Sequence, residues 1–180
     1  LKEERIYHQP VQALNRIIAS YPDRPHNAEA LFVHPNGDLY VITKEFSRQD
    51  FLAKNAMIFR LSKKTLKSTK PVVFEKVGEI ELPWINSEYD AFGQIVTGAS
   101  ISGNGKKIIL LTYENAVEFN LDLSKVKNLN VRELRKNHDY QTIPLYQLAP
   151  QQEAISFYPR SSDFIFSSES TGTEKAGILK

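Results

Sequence analysis

The sequence predicts an all-β fold, and three observations carry that expectation. A segment recurs three times: AEALFVHPNGDLYVITKE at residues 28–45, TGASISGNGKKIILLTYE at 97–114 and QEAISFYPRSSDFIFSSE at 152–169. The copies align without a gap, so Ala30, Ala99 and Ala154 share one position and Glu45, Glu114 and Glu169 another. Each copy sets two short apolar runs around a polar turn, and further short runs rich in β-branched and aromatic residues follow. Repetition of one small unit signals stacked sheets. Four-stranded antiparallel sheets stacked about an axis are the blades of a β-propeller.

Residues 1–27 precede the first unit. Val11, Leu14, Ile17 and Ile18 fit a helical spacing, and the same stretch stands where the outer strand of a preceding blade would lie. It is expected as one or the other. The first blade is expected over 28–82. Strands at 30–33 and 38–43 flank His34-Pro35-Asn36-Gly37, a third lies at 56–61 and a fourth at 72–82. The second is expected over 97–148. Strands at 99–102 and 107–112 flank Gly103-Asn104-Gly105, followed by 116–121 and 143–148. Asn-Gly between alternating apolar residues predicts a type I′ hairpin turn, which needs φ > 0 at both central positions. Between the third and fourth strands, Asn130 and Glu133 have capping-box spacing and predict a short helix from Val131, within a surface insertion. The third unit, 152–180, has a longer turn at Pro159-Arg160-Ser161-Ser162 and one further strand at 176–180.

This makes two complete blades and an incomplete third. Propellers close with about four to eight blades, and an open sheet edge invites association. The expectation is therefore a partial ring, five-bladed when complete. The remaining blades would lie in an N-terminal fragment, another chain or a symmetry mate. The chain opens on Leu1 with LKEERIYHQP, which has no apolar run behind a basic start and so does not resemble a signal peptide.

Composition excludes several classes. A net charge of +2 argues against a dedicated nucleic-acid binder. No apolar run is long enough for a transmembrane helix. With no cysteine there is no disulfide framework, zinc–thiolate site or cysteine nucleophile. His8, His26, His34 and His138 lack zinc-ligand spacing. Gly103-Asn104-Gly105-Lys106 lacks the spacing of a phosphate loop, and no G-x-S-x-G elbow occurs. Lys63, Lys64, Lys67 and Lys70 read as a solvated basic patch on the opposite face.

Hairpin topology singles out one face. Glu29 and Glu153 open first strands, and Glu45, Glu114 and Glu169 close second strands, so all five are expected at one end of the sheets. Carboxylates gathered there suit a hard cation such as calcium, which takes about six to eight oxygen ligands. They equally suit general-base chemistry, or simply solvation and backbone hydrogen bonds. Lys44 and Tyr113 share one repeat position, with Ser168 in the third copy. Lys44 is expected to pair with Glu29 or Glu153, or to hold a phosphate or carboxylate. The loop at 83–94 adds Trp84, Tyr89 and Phe92 beside Glu88 and Asp90, a composition that suits a ligand wall, an interface anchor or a plug. The loop at 46–55, with Arg48, Asp50 and Lys54, belongs to the same face.

Taken jointly, Asn27-Ala28-Glu29-Ala30-Leu31, Val41-Ile42-Thr43-Lys44, Val96-Thr97-Gly98-Ala99-Ser100-Ile101-Ser102, Leu111-Thr112-Tyr113, Glu153-Ala154-Ile155 and Ser168-Glu169 resemble a group of bacterial β-propeller proteins. The group is loosely related to phytase-like and esterase-like propellers. Asn27, Ser100 and Leu111 stand where it often has Asp, Asp and Arg. The resemblance spans residues 28–180 and is to the C-terminal blades. It implies an exported protein. The leading expectation is a binding scaffold whose channel-mouth face holds a small ligand, metal or protein partner, with Glu29, Lys44, Tyr113 and Trp84 as the ligand-binding residues. The alternatives are a calcium-dependent hydrolase with the metal on Glu29, Glu153 and Glu169, and a protein-interaction module using the loop at 83–94. Propellers host unrelated activities, so fold alone does not choose among them.

Overall fold

A computed structural model describes residues 13, 15–49, 52–83, 92–126, 133–145, 151–169 and 178–179. It is all-β, with no helix of seven residues or more among them. In chain order the strands are β1 (Ala19–Ser20), β2 (Ala28–Val33), β3 (Leu39–Thr43), β4 (Phe46–Ser47), β5 (Leu52–Ala53), β6 (Ala56–Leu61), β7 (Val72–Val73) and β8 (Glu75–Ile80). They continue as β9 (Val96–Ile101), β10 (Ile108–Thr112), β11 (Asn115–Phe119), β12 (Tyr140–Pro144), β13 (Gln152–Phe157), β14 (Phe164–Ser168) and β15 (Ile178–Leu179). Three antiparallel meanders result: β2-β3-β6-β8, β9-β10-β11-β12 and β13-β14-β15. The four, four and three strands are those the repeat predicts.

The sheets stack in sequence through their first strands. β2 lies on β9, and β9 and β10 lie on β13. The first interface is an apolar layer: Ala30, Phe32, Tyr40, Ile42 and Ile58 meet Ile108, Leu110, Val117 and Phe119, all buried. The second is smaller. Ile109, Leu111 and Ala116 meet Ile155, Phe157 and Phe166. Hydrogen bonds also cross it, from Thr97 Oγ1 to the Gln152 carbonyl (2.7 Å) and from the Phe157 amide to Ser100 Oγ (3.1 Å). Gly98 permits the close approach, since a Cβ there would stand 3.3 Å from the Glu153 carbonyl oxygen.

Several expectations are corrected. The Asn-Gly turns are not type I′. Only the glycines take positive φ, 93° at Gly37 and 72° at Gly105, so each turn reverses with glycine alone in the left-handed region. The amide of Gly37 donates to the His34 carbonyl and that of Gly105 to the Ser102 carbonyl. The gapless repeat also conceals different registers. Ala30 faces Ile42, but Ala99 faces Leu110 and Ala154 faces Ser167, although Leu111 and Phe166 stand at the repeat position of Ile42. A one-residue shift exchanges the two faces of a strand, so equivalent residues do not face equivalent neighbours.

The stretch expected as one strand at 72–82 divides into β7 and β8. β7 pairs in parallel with β1, so residues 19–20 and 72–73 form a separate two-stranded sheet. The described residues 13 and 15–18 are not helical. β12 lies three residues earlier than expected, and the helix start at Asn130–Val131 lies outside the described residues. So do Trp84, Glu88, Tyr89 and Asp90.

Candidate functional site

Pairing of β2 with β3 continues one step past the strands, where the Lys44 amide donates to the Asn27 carbonyl at 2.8 Å. This fixes Glu29, Lys44 and Glu45 at the sheet end away from the hairpin turn. The β10–β11 connection brings Tyr113 to the same end. The Lys44 ammonium donates to both Glu29 carboxylate oxygens at 2.8 Å and to the Tyr113 hydroxyl at 2.6 Å. It stands 4.7 Å from the Tyr113 ring centroid, at the hydroxyl end of the ring. The ion pair foreseen for Lys44 is thus made with Glu29, across the junction of the first two sheets. Burial opposes the charge on Lys44. Hydrogen bonds to Glu29 and Tyr113 outweigh it and hold the pKa above the ordinary lysine value.

Glu153 comes into the electrostatic field of this pair from the third sheet. Burial first, then the charge of Glu29, push its carboxyl above the ordinary range, with Lys44 opposing and Glu169 adding to the rise. The charges of Glu29 and Glu169 thus both act on Glu153. Among the described residues, however, no three acidic or histidine side chains are arranged to hold a metal ion.

The other two glutamates part from this group. Glu114 is buried, and among the described residues its Oε2 has no hydrogen-bond partner. Glu45 turns to His26, whose Nδ1 lies 2.6 Å from Glu45 Oε1, while Arg24 donates to Oε2 at 3.1 Å. The other ring nitrogen of His26 lies 3.0 Å from Asp23. The His26 side chain is fully buried, edge-on to Tyr21 at 4.9 Å and tilted against Phe59 at 5.1 Å. Burial raises the Glu45 pKa, but hydrogen bonds with His26 and Arg24 outweigh it, and the carboxyl rests below its ordinary value. Sequence reasoning set His26 aside for want of ligand spacing. The signal that finds it is the pairing itself, since the Asn27–Lys44 step carries His26 to Glu45.

Between these two groups lies a cavity of about 650 Å³. Glu29, Lys44, Tyr113 and Glu45 line it, with Arg24 and Arg48. Phe46 and Ile95 supply apolar wall, and Asn27 adds an amide. Arg48 arrives on the small β4–β5 hairpin, closed by the Lys54 amide on the Glu45 carbonyl at 3.0 Å. Of the ligand residues singled out from sequence, Glu29, Lys44 and Tyr113 meet here, whereas Trp84 lies outside the described residues. No protein-family model matches the chain, and no curated protein matches it. No helix among the described residues is long and apolar enough to cross a membrane.

Proposed function

We propose that the chain supplies blades of a β-propeller whose mouth binds a small ligand between the first two sheets. The cavity carries this reading. A concavity of about 650 Å³, where charged and polar side chains converge beside Phe46 and Ile95, has room for a small molecule and the groups to orient it. The propeller reading is supported by the sequential meanders and by the stacking of each first strand on the next. It makes the outer face of the first sheet a contact surface for the remaining blades. Leu31 and Val33 are 59% and 56% exposed there. Sedimentation tests this: a mass above 20.6 kDa that falls to it on replacing Leu31 and Val33 by Lys supports the contact. A mass of 20.6 kDa at every concentration counts against it.

Ligand binding is tested by amide NMR with a library of small fragments. Binders should perturb residues 24–29, 44–48, 95 and 113 together, and Tyr113→Ala should weaken them. Perturbation elsewhere, or none, removes the reading. One observation favours a second reading, calcium on Glu29, Glu153 and Glu169. Burial raises Glu153 most, and the repulsion from Glu29 and Glu169 that adds to it is what a divalent cation would relieve. Calcium-dependent phosphatase or esterase turnover, abolished by Glu29→Gln, would establish it. Calcium without effect on activity or on the Glu153 titration would remove it.

A further inference from the structure

Resting on the small-ligand reading, the question is what chemistry the cavity selects. Its charged groups are largely spoken for. Glu29 is held by Lys44 through both oxygens, and Glu45 by His26 and Arg24. With cationic side chains already on them, these carboxylates present little net negative charge to a cationic ligand. Two polar groups on the wall remain uncommitted. Among the described residues, the Arg48 guanidinium and the Asn27 side-chain amide have no hydrogen-bond or ion-pair partner. Arg48 is donor-only, and Asn27 has two N–H donors. The lining holds three cations against two carboxylates, and Glu153 and Glu169 are not part of it. Phe46, Ile95 and the Tyr113 ring give an apolar flank.

We infer that the cavity binds a compact oxyanion, a carboxylate or phosphate, carried on an apolar or aromatic body, with Arg48 as its charge partner and Asn27 as a second donor. A guanidinium meets either oxyanion with two parallel N–H donors, and such charge-assisted pairs are roughly twice as strong as neutral ones. The apolar flank takes the body of the ligand. Lys44 and Arg24 shape the pocket without being consumed by the ligand, since their own carboxylates hold them in place.

Four probes sharing one phenyl ring decide the matter by calorimetry on the full chain: benzoate, phenyl phosphate, benzyl alcohol and benzylamine. The expected result is binding of one or both anions in preference to the neutral and cationic probes. Arg48→Ala should weaken it about tenfold or more, with Arg48→Lys between the two. Comparison of benzoate with phenyl phosphate then separates a carboxylate from a phosphate ligand. Arg48 stands on an exposed turn with no partner, so its variants should keep the parent's thermal midpoint. Benzylamine or benzyl alcohol binding as well as the anions, or anion affinity untouched by Arg48→Ala, overturns the inference while leaving a ligand site. Failure of all four probes, with no fragment shifting the lining residues, overturns the site as well.

Discussion

Two glutamates sixteen positions apart in sequence sit at one end of one hairpin and have opposite fates. Glu29 stays a third exposed and shares a lysine with a tyrosine of the next sheet. Glu45 is nearly buried, bonded to a histidine sealed under Tyr21 and Phe59. The first group spans a junction between sheets and opens on a cavity. The second pins residues 21–27 onto the first sheet. The difference shows that a carboxylate at a sheet end is a clasp or a site according to what closes over it. Burial and partners decide, and both come from segments remote in sequence.

The largest effect should come from breaking the clasp. His26→Ala removes two hydrogen bonds to carboxylates, leaves Glu45 without its nearest partner and opens a void under two aromatic rings. A loss of about 2–3 kcal/mol is expected in urea unfolding. Gly98→Ala should cost about 1–2 kcal/mol, because the new methyl presses on the Glu153 backbone. The same push should displace the Glu153 carboxyl and change its titration, leaving that of Glu45 unmoved. Lys44→Met should cost less, about 1 kcal/mol, because a third of the Glu29 side chain stays open to water and can be solvated without its lysine. Its mark should appear in electrostatics: with the positive charge gone, Glu153 should protonate at still higher pH. A Lys44→Met loss as large as that of His26→Ala would erase the distinction between clasp and site.

Much of this arrangement was legible in the chain. The three copies carry the alternation and turn residues of hairpins, and those local signals suffice for the strands of the three meanders and their order, though not for β4, β5 or the separate β7. They also suffice to place Glu29, Lys44 and Tyr113 at one end, because the ends of a hairpin follow from its turn. Register was not legible. Whether Ala99 faces Leu110 or Leu111 depends on how glycine closes each turn, and a gapless alignment treats the turns as equal. His26 escaped for another reason. Its partners Asp23 and Glu45 become neighbours only after β2 pairs with β3 and Tyr21 folds over Phe59, and no local spacing encodes that. The open cavity likewise depends on where the β4–β5 hairpin carries Arg48.

Acid should act on the two groups in opposite senses. Glu153 has a raised folded-state pKa, so its ionised form weakens the fold at neutral pH and that penalty is relieved as pH falls through the folded value. Glu45 has a lowered folded-state pKa. Its contribution is present above the unfolded value and lost as pH falls through the folded one. Stability should therefore hold or rise slightly on leaving neutrality, then fall once Glu45 takes up its proton. The most direct test is a carboxyl-carbon NMR titration of the intact chain. Glu153 should take up its proton first, above the ordinary glutamate range, and Glu45 after it, below that range. Glu45 titrating at or above Glu153 would contradict the division of this sheet end into a closed clasp and an open site.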